Sequence, residues 1–296
     1  MPSHELEDKL LGYQERSMDL VSEIPVLILC GGLGTRIKEE TELRPKPMVP
    51  IGRYPILWHI MHLYRRHGFR KFILCTGFKS EVIKDFFLNY HSMHSDFTVD
   101  LATNQMKVHS IHHEEDWEVT VTYTGEETMT GGRLAMAVHR YGGEAKDFAV
   151  TYGDGLTDAN LKEEWNFHKE HGKIGTILGV NPPSRFGELK IEGDAIGKFS
   201  EKPDFGEKWI NGGFGFFKRE FFFNYLLPRI DCVLEKEPLA KLAENKELNV
   251  YCHRGFWACM DTQRDRDHLN ELWNTGRSPW YQPTSPLSTG LKMSIK

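Results

Sequence analysis

VLILCGGLGTRIKEETELRPKPMVPIG, residues 26–52, is the stretch that decides the fold. Its first four residues, Val26-Leu27-Ile28-Leu29, are apolar without alternation and lead through Cys30 into Gly31 and Gly32, the pattern of a strand covered on both faces. Glycines at such a strand end let a ligand approach the backbone closely and leave N–H groups free to face an anion. Leu33, Gly34, Thr35 and Arg36 continue the loop. Lys46 follows between Pro45 and Pro47, where flanking prolines favour an extended segment that presents its ammonium group. These residues point to a triphosphate site. A dinucleotide fingerprint would need a third glycine or alanine where Arg36 stands, and a P-loop would need Gly-Lys followed by Ser or Thr. Neither is present.

Working outward, apolar residues at helical spacing over 56–64 run up to Gly68, a strand pattern covers 71–75, and a helix covers 81–90. Strands over 119–123 and 148–152 enclose a helix over 131–141. This alternation predicts βαβ units and a parallel sheet. After Gly153-Asp154-Gly155 the chain changes to short strands at 174–180, 188–191, 197–200, 209–217 and 248–251, with helices at 221–227, 239–246 and 264–273. The expected architecture is α/β, with a central mixed, mostly parallel sheet. Residues 1–23 form an N-terminal extension, 24–280 the main domain (a nucleotide-binding part over 24–160 and a smaller part over 161–280), and 281–296 a tail.

Composition narrows the class. Hydrophobic residues make up 40% of the chain, ample for a core, and the net charge of -5 gives no general attraction to nucleic acid. The five cysteines form no CxxC pair, which fits reduced thiols in the cytoplasm. No apolar run approaches the roughly 20 residues of a membrane span, and the first residues lack a secretory signal. The histidines at 91, 94, 109, 112 and 113, with His168 and His171 three apart on a helix, form no HExxH and are expected as surface groups rather than a zinc site. Cys30 is expected to be an inert small residue.

Other residues bear on the triphosphate site. Asp154 follows a buried strand, where parallel sheets form their ligand crevice, and suits a metal held against phosphate oxygens; an ordinary Asp-Gly turn is the other reading. Asp261 occupies a similar position and could share the metal if the fold joins the two. Thr128 and Arg133, at the start of a helix, suit an anion or a base edge, or simply a cap. Glu201-Lys202-Pro203 and Asn211-Gly212-Gly213 offer a phosphate contact and a sugar-hydroxyl contact, or turns.

LCGGLGTR (29–36), EETELRPKPMVPIG (39–52), PILWHIMHLYRRHG (55–68), MTGGRL (129–134), TYGDG (151–155), RFGELKI (185–191), EKP (201–203), INGGF (210–214) and GFWACMDTQRD (255–265) occur in that order. With them the chain resembles the sugar-nucleotide nucleotidylyltransferases from residue 24 to 280, and within them the cytidylyl branch. The resemblance implies a Rossmann-like, glycosyltransferase-A-like fold and a homo-oligomer that uses CTP and glucose 1-phosphate to make CDP-glucose and pyrophosphate. It further implies that Leu29, Cys30, Gly31, Gly32, Leu33, Gly34, Thr35, Arg36 and Lys46 hold CTP, completed by Thr128, Arg133 and Gly153. Asp154 and Asp261 would bind Mg²⁺, and Glu201, Lys202, Asn211 and Gly212 would meet the sugar phosphate. Arg36, Lys46 and Asp154 are the implied catalytic groups. Cys30 stands where the family usually has alanine, a small-for-small exchange.

Overall fold

The structure, a computed structural model, describes residues 21–32, 34, 38–109, 116–182, 188–192, 195–200 and 208–281. The expected N-terminal extension and C-terminal tail fall outside these residues, apart from residues 21–23 and Tyr281. A seven-stranded sheet organises the chain. Strand β1 (Pro25–Cys30) lies within it, parallel to β2 (Lys71–Thr76) on one side and β4 (Asp147–Tyr152) on the other, and β3 (Glu118–Tyr123) lies outside β2. A three-residue strand, β5 (Gly155–Thr157), follows β4. Beyond β4 the main sheet continues through β7 (Ile210–Lys218), β6 (Gly175–Val180) and β8 (Leu248–His253). Only β7 runs antiparallel to its neighbours, so the sheet is mixed and mostly parallel, as expected. The chain turns from building outward through β2 and β3 to building the other way through β4. The crevice beyond the ends of β1 and β4 is thus a topological switch point, where open α/β sheets bind ligands.

Strand β1 is apolar throughout because both of its faces are covered. Val26, Ile28 and Cys30 enter one core with helix α1 (Ile56–Arg66), while Leu27 and Leu29 enter another with Leu134 and Val138 of helix α2 (Thr130–Tyr141). Helix α1 is buried from Ile56 to Tyr64, His59 and His62 included. Trp280 Nε1 donates to His59 Nδ1 at 3.3 Å, so His59 donates from Nε2 to the Ile51 carbonyl at 2.9 Å as a neutral ring. Burial lowers its pKa to about 4.

His168 departs from expectation. It is fully buried on helix α3 (Leu161–His171) and meets Thr176 Oγ1 at 2.7 Å through Nδ1. Leu161, Glu164, Trp165 and His168 form the buried face at i, i+3, i+4 and i+7. Glu164 is fully buried, with neither carboxyl oxygen hydrogen-bonded among the described residues. Burial pushes its pKa up to about 8. The folded chain therefore keeps this proton where the unfolded chain releases it, and Glu164 costs stability progressively as pH rises from about 4.5 towards 8. Glu164→Gln should gain about 4 kcal/mol on wild type between pH 4 and pH 8. Urea unfolding at the two pH values measures this, and a pH-independent difference would contradict it.

Candidate functional site

The crevice at the switch point is a cleft of about 620 Å³. Leu29, Cys30, Gly31, Gly32, Gly34, Lys46, Thr128, Arg133, Gly153, Asp154 and Asp261 all line it, so the fold gathers these expected site residues into one place. Leu33, Thr35 and Arg36 lie outside the described residues, as do Glu201 and Lys202.

Glycine is needed where the two central strands end. The Gly153 N–H donates to the Leu29 carbonyl at 3.1 Å, and a Cβ on Gly153 would lie 2.8 Å from that oxygen and 2.7 Å from Pro47 Cγ. Neither contact is compatible with a side chain, so Gly153 lets β4 close against β1 and against the proline segment. That segment is a single 3-10 turn, Lys46–Met48, following Pro45 in an extended conformation, rather than the extended run expected. Pro47 and Met48 are buried beneath it, which fixes Lys46 at the cleft floor.

Lys46 Nζ donates to Asp154 Oδ2 at 2.6 Å and to Asp261 Oδ1 at 2.7 Å. Strand pairing brings these carboxylates together. Asp154 leads into β5, which pairs antiparallel with β9 (Trp257–Cys259), setting Cys259 opposite Gly155. The Met260 N–H then donates to the Asp154 carbonyl at 2.9 Å. Asp261 sits just before helix α4 (Gln263–Asn274), where Asp265 Oδ2 accepts from the N–H groups of Asp261 at 3.1 Å and Thr262 at 2.9 Å. This capping box holds the Asp261 backbone in place. Burial alone would lower the Lys46 pKa, but the charge of Asp154 and the hydrogen bonds to both carboxylates raise it overall, so Lys46 is a fixed cation. Ligand atoms of Asp154, Asp261 and Cys259 lie within 4.8 Å of one another, a group able to hold a metal ion.

Arg133 is 4% exposed, and its described hydrogen bonds run to the chain itself. One terminal nitrogen donates to Thr76 O at 3.2 Å, Thr124 Oγ1 at 2.9 Å and Gly125 O at 2.5 Å; the other donates to Gly31 O and Glu126 O, each at 2.9 Å. Arg133 thus ties the glycine loop to the ends of β2 and β3. The start of helix α2 is also engaged, with Thr130 Oγ1 donating to Glu235 Oε2 at 2.8 Å and the Gly132 N–H donating to Cys232 O at 3.1 Å. Asn211 and Gly212, at the start of β7, do not line the cleft. Asn211 Oδ1 accepts from the Gly213 N–H at 2.9 Å, and Gly212 O accepts from Trp257 Nε1 at 2.7 Å, which anchors the strand leading to Asp261.

Met129, Thr130 and Tyr152, from the MTGGRL and TYGDG motifs, also line the cleft, and so do Glu126 and Glu127, which the sequence reading does not single out. The closeness of Glu126 and Glu127 to the MTGGRL motif is the available signal. Cys30 is buried, and burial, reinforced by Cys75 and Asp154 against Arg133, raises its thiol pKa well above the ordinary value. Burial likewise pushes Cys75 up to about 12. Iodoacetamide should therefore label exposed Cys252 and spare Cys30 and Cys75, as read by peptide mass spectrometry. Labelling of Cys30 at a comparable rate would contradict its inert role. Among the described residues no helix is long and apolar enough to cross a membrane.

The profile of the family described as nucleotidyl transferase matches residues 25–262. A glucose-1-phosphate cytidylyltransferase of Salmonella typhi is 46% identical over 258 residues, covering 86% of this chain and 97% of that protein. A probable glucose-1-phosphate cytidylyltransferase of Bacillus subtilis is 41% identical over 254 residues, covering 86% and 98%. Among solved structures, a putative glucose-1-phosphate thymidylyltransferase from Bacillus anthracis superposes with a TM-score of 0.62 at 17% identity, over 84% of this chain and 94% of that one, a likeness of fold.

Proposed function

Because the chain belongs to the nucleotidyl transferase family, we propose that its central cleft joins CTP to glucose 1-phosphate, giving CDP-glucose and pyrophosphate. The observation that carries this reading is Lys46 held between Asp154 and Asp261 at the floor of a glycine-walled cleft. A glucose-1-phosphate cytidylyltransferase and a probable one, each matched over nearly its whole length, support the choice of base and sugar.

The residues account for the chemistry without a protein nucleophile or base. The attacking oxygen of the sugar phosphate is already ionised at neutral pH. It forms a bond to the α-phosphorus of CTP as the bond to the β-phosphate oxygen breaks, and pyrophosphate leaves. What the protein must provide is alignment and compensation of negative charge. The N–H groups of Gly31, Gly32 and Gly34, with Leu29, Cys30, Leu33 and Thr35, cradle the nucleotide phosphates in this reading. Lys46 and Arg36 offset charge on them, and Thr128 and Gly153 shape the wall. Arg133 acts as a positioning residue through the Gly31 carbonyl. By the family resemblance, Lys202 and Glu201, with Asn211 and Gly212, would contact the sugar phosphate.

The carboxylate pair fits a hard divalent cation, because oxygen donors converge from both halves of the chain onto a point now bridged by an ammonium group. Magnesium bound by Asp154 and Asp261 would supply charge neutralisation at phosphate oxygens. Lys46 keeps the two carboxylates side by side and so preorganises them.

Pyrophosphate release from each of the four NTPs, against a panel of sugar 1-phosphates, tests the reading. CTP with glucose 1-phosphate should exceed every other pair. Release led by another pair would overturn the specificity, and no release with any pair would make the protein a binding module.

A homo-oligomer is part of the same proposal. It is supported by apolar side chains exposed around the hairpin of Phe97–Asp100 and Gln105–Val108, with Leu101 88% and Met106 55% exposed. Light scattering on the eluting protein should give a multiple of the chain mass, and Leu101→Glu should lower it. A monomer would contradict this.

A further inference from the structure

Cys259 adds sulfur to a site so far described by its oxygen and nitrogen groups. Residues two apart on a strand point to the same face. β9 ends at Cys259, so Asp261 follows at that spacing, and the Cys259 Sγ lies within 4.8 Å of carboxylate oxygens of both Asp154 and Asp261. The intervening Met260 points the other way and is fully buried. The group draws on two strands, β5 and β9, locked in register by pairing of Gly155 with Cys259 and by the Met260–Asp154 backbone hydrogen bond. It is therefore not a chance meeting of surface acids. Asp154 and Asp261 together bind the Lys46 ammonium, so the two carboxylates already stabilise positive charge at this point.

Two carboxylates alone favour a hard cation, whereas a thiolate beside them favours borderline and soft cations. We propose that Asp154, Asp261 and Cys259 form a mixed oxygen–sulfur site that takes thiophilic divalent cations of the Zn²⁺ and Cd²⁺ class much more tightly than Mg²⁺. The proposal rests on the reading of Asp154 and Asp261 as the metal carboxylates and adds a third ligand to it. On binding, the sulfur–metal bond replaces the thiol S–H bond, and the proton passes to solvent. Such a cation competes with magnesium for the same two carboxylates and with Lys46 for their charge.

Cadmium is a suitable probe, because a cadmium–thiolate bond gives an ultraviolet charge-transfer band that oxygen ligands do not. Titrating the purified full chain with Cd²⁺ should produce this band with saturation at one ion per chain. Cys259→Ser should abolish it and weaken cadmium binding by at least about 100-fold, since removing even an outer-shell partner of a metal typically costs 10–100-fold. Cys259→Ala should behave alike, and near-ultraviolet circular dichroism verifies that both variants are folded. Cys252→Ser should keep the band, because Cys252 is the exposed thiol able to bind cadmium adventitiously. Mg²⁺ should suppress the band only at about 100-fold or greater excess over Cd²⁺.

A wild-type protein without the band, or a band that survives in Cys259→Ser and disappears in Cys252→Ser, would overturn the proposal. Mn²⁺ binding in the presence of CTP, followed by electron paramagnetic resonance in wild type, Asp154→Asn and Asp261→Asn, separates the two readings. Carboxylate-dependent Mn²⁺ binding without a cadmium band removes only the sulfur ligand. Absence of both removes the metal site altogether.

Discussion

Asp154→Ala should lower kcat by about 1,000-fold, because a metal's stabilisation of a transferring phosphoryl group is worth several kcal/mol and about 4 kcal/mol corresponds to three powers of ten in rate. The substitution leaves the fold supported. Lys46 still has Asp261 at 2.7 Å, and the backbone link from Asp154 O to the Met260 N–H does not depend on the side chain. The loss should therefore appear in turnover at saturating substrates, with the thermal midpoint shifted by only a few degrees. Steady-state pyrophosphate release at saturating Mg²⁺ measures it. Near-normal turnover would show that Asp154 does not hold the metal.

Arg133→Ala should be the most destabilising change in the cleft, at about 3–5 kcal/mol. The guanidinium is buried and satisfies carbonyls from three separate segments, at Thr76, at Gly31, and at Gly125 and Glu126. Removing it takes that donor from the Gly31, Gly125 and Glu126 carbonyls, while Thr76 O keeps Thr124, and releases the glycine loop from the ends of β2 and β3. Arg133→Lys should not rescue, since one ammonium nitrogen cannot reach acceptors that the planar fork spans. Denaturant unfolding gives the stability change, and calorimetric CTP titration should show at least about tenfold weaker binding in whatever fraction remains folded. If Arg133→Ala bound CTP poorly at unchanged stability, the side chain would be a direct ligand rather than a support for the loop.

The sequence made the first half of the fold legible because its strands are covered on both faces. Val26 to Leu29 show no polar residue to blur the pattern, and the glycines that follow mark where the backbone must be approached. It did not reveal how Asp154 meets Asp261. Their meeting depends on β5 and β9, three residues each, too short for any periodicity to register. Cys259 was overlooked for the same reason, since its face follows only once β9 is known to be a strand. Arg133 was legible as a group of donors but not in what it faces, because its acceptors are backbone carbonyls that every residue carries. Helix α3 concealed its buried side by placing Glu164 and His168 in two of four inward positions, where a hydrophobic period would be sought.

In the proposed reaction the cytidylyl group passes straight from CTP to the sugar phosphate, with no covalent stop on the protein. Among the described residues that line the cleft there is no histidine to activate a nucleophile, and Cys30 is buried with a raised pKa. The most direct test uses CTP carrying one stereoisomer of sulfur on the α-phosphorus, reacted with glucose 1-phosphate, with the configuration of the product read by phosphorus NMR. A single in-line displacement inverts that configuration, and inversion is the result expected. Retention would require two displacements and a nucleotide-bearing residue, and would contradict the account.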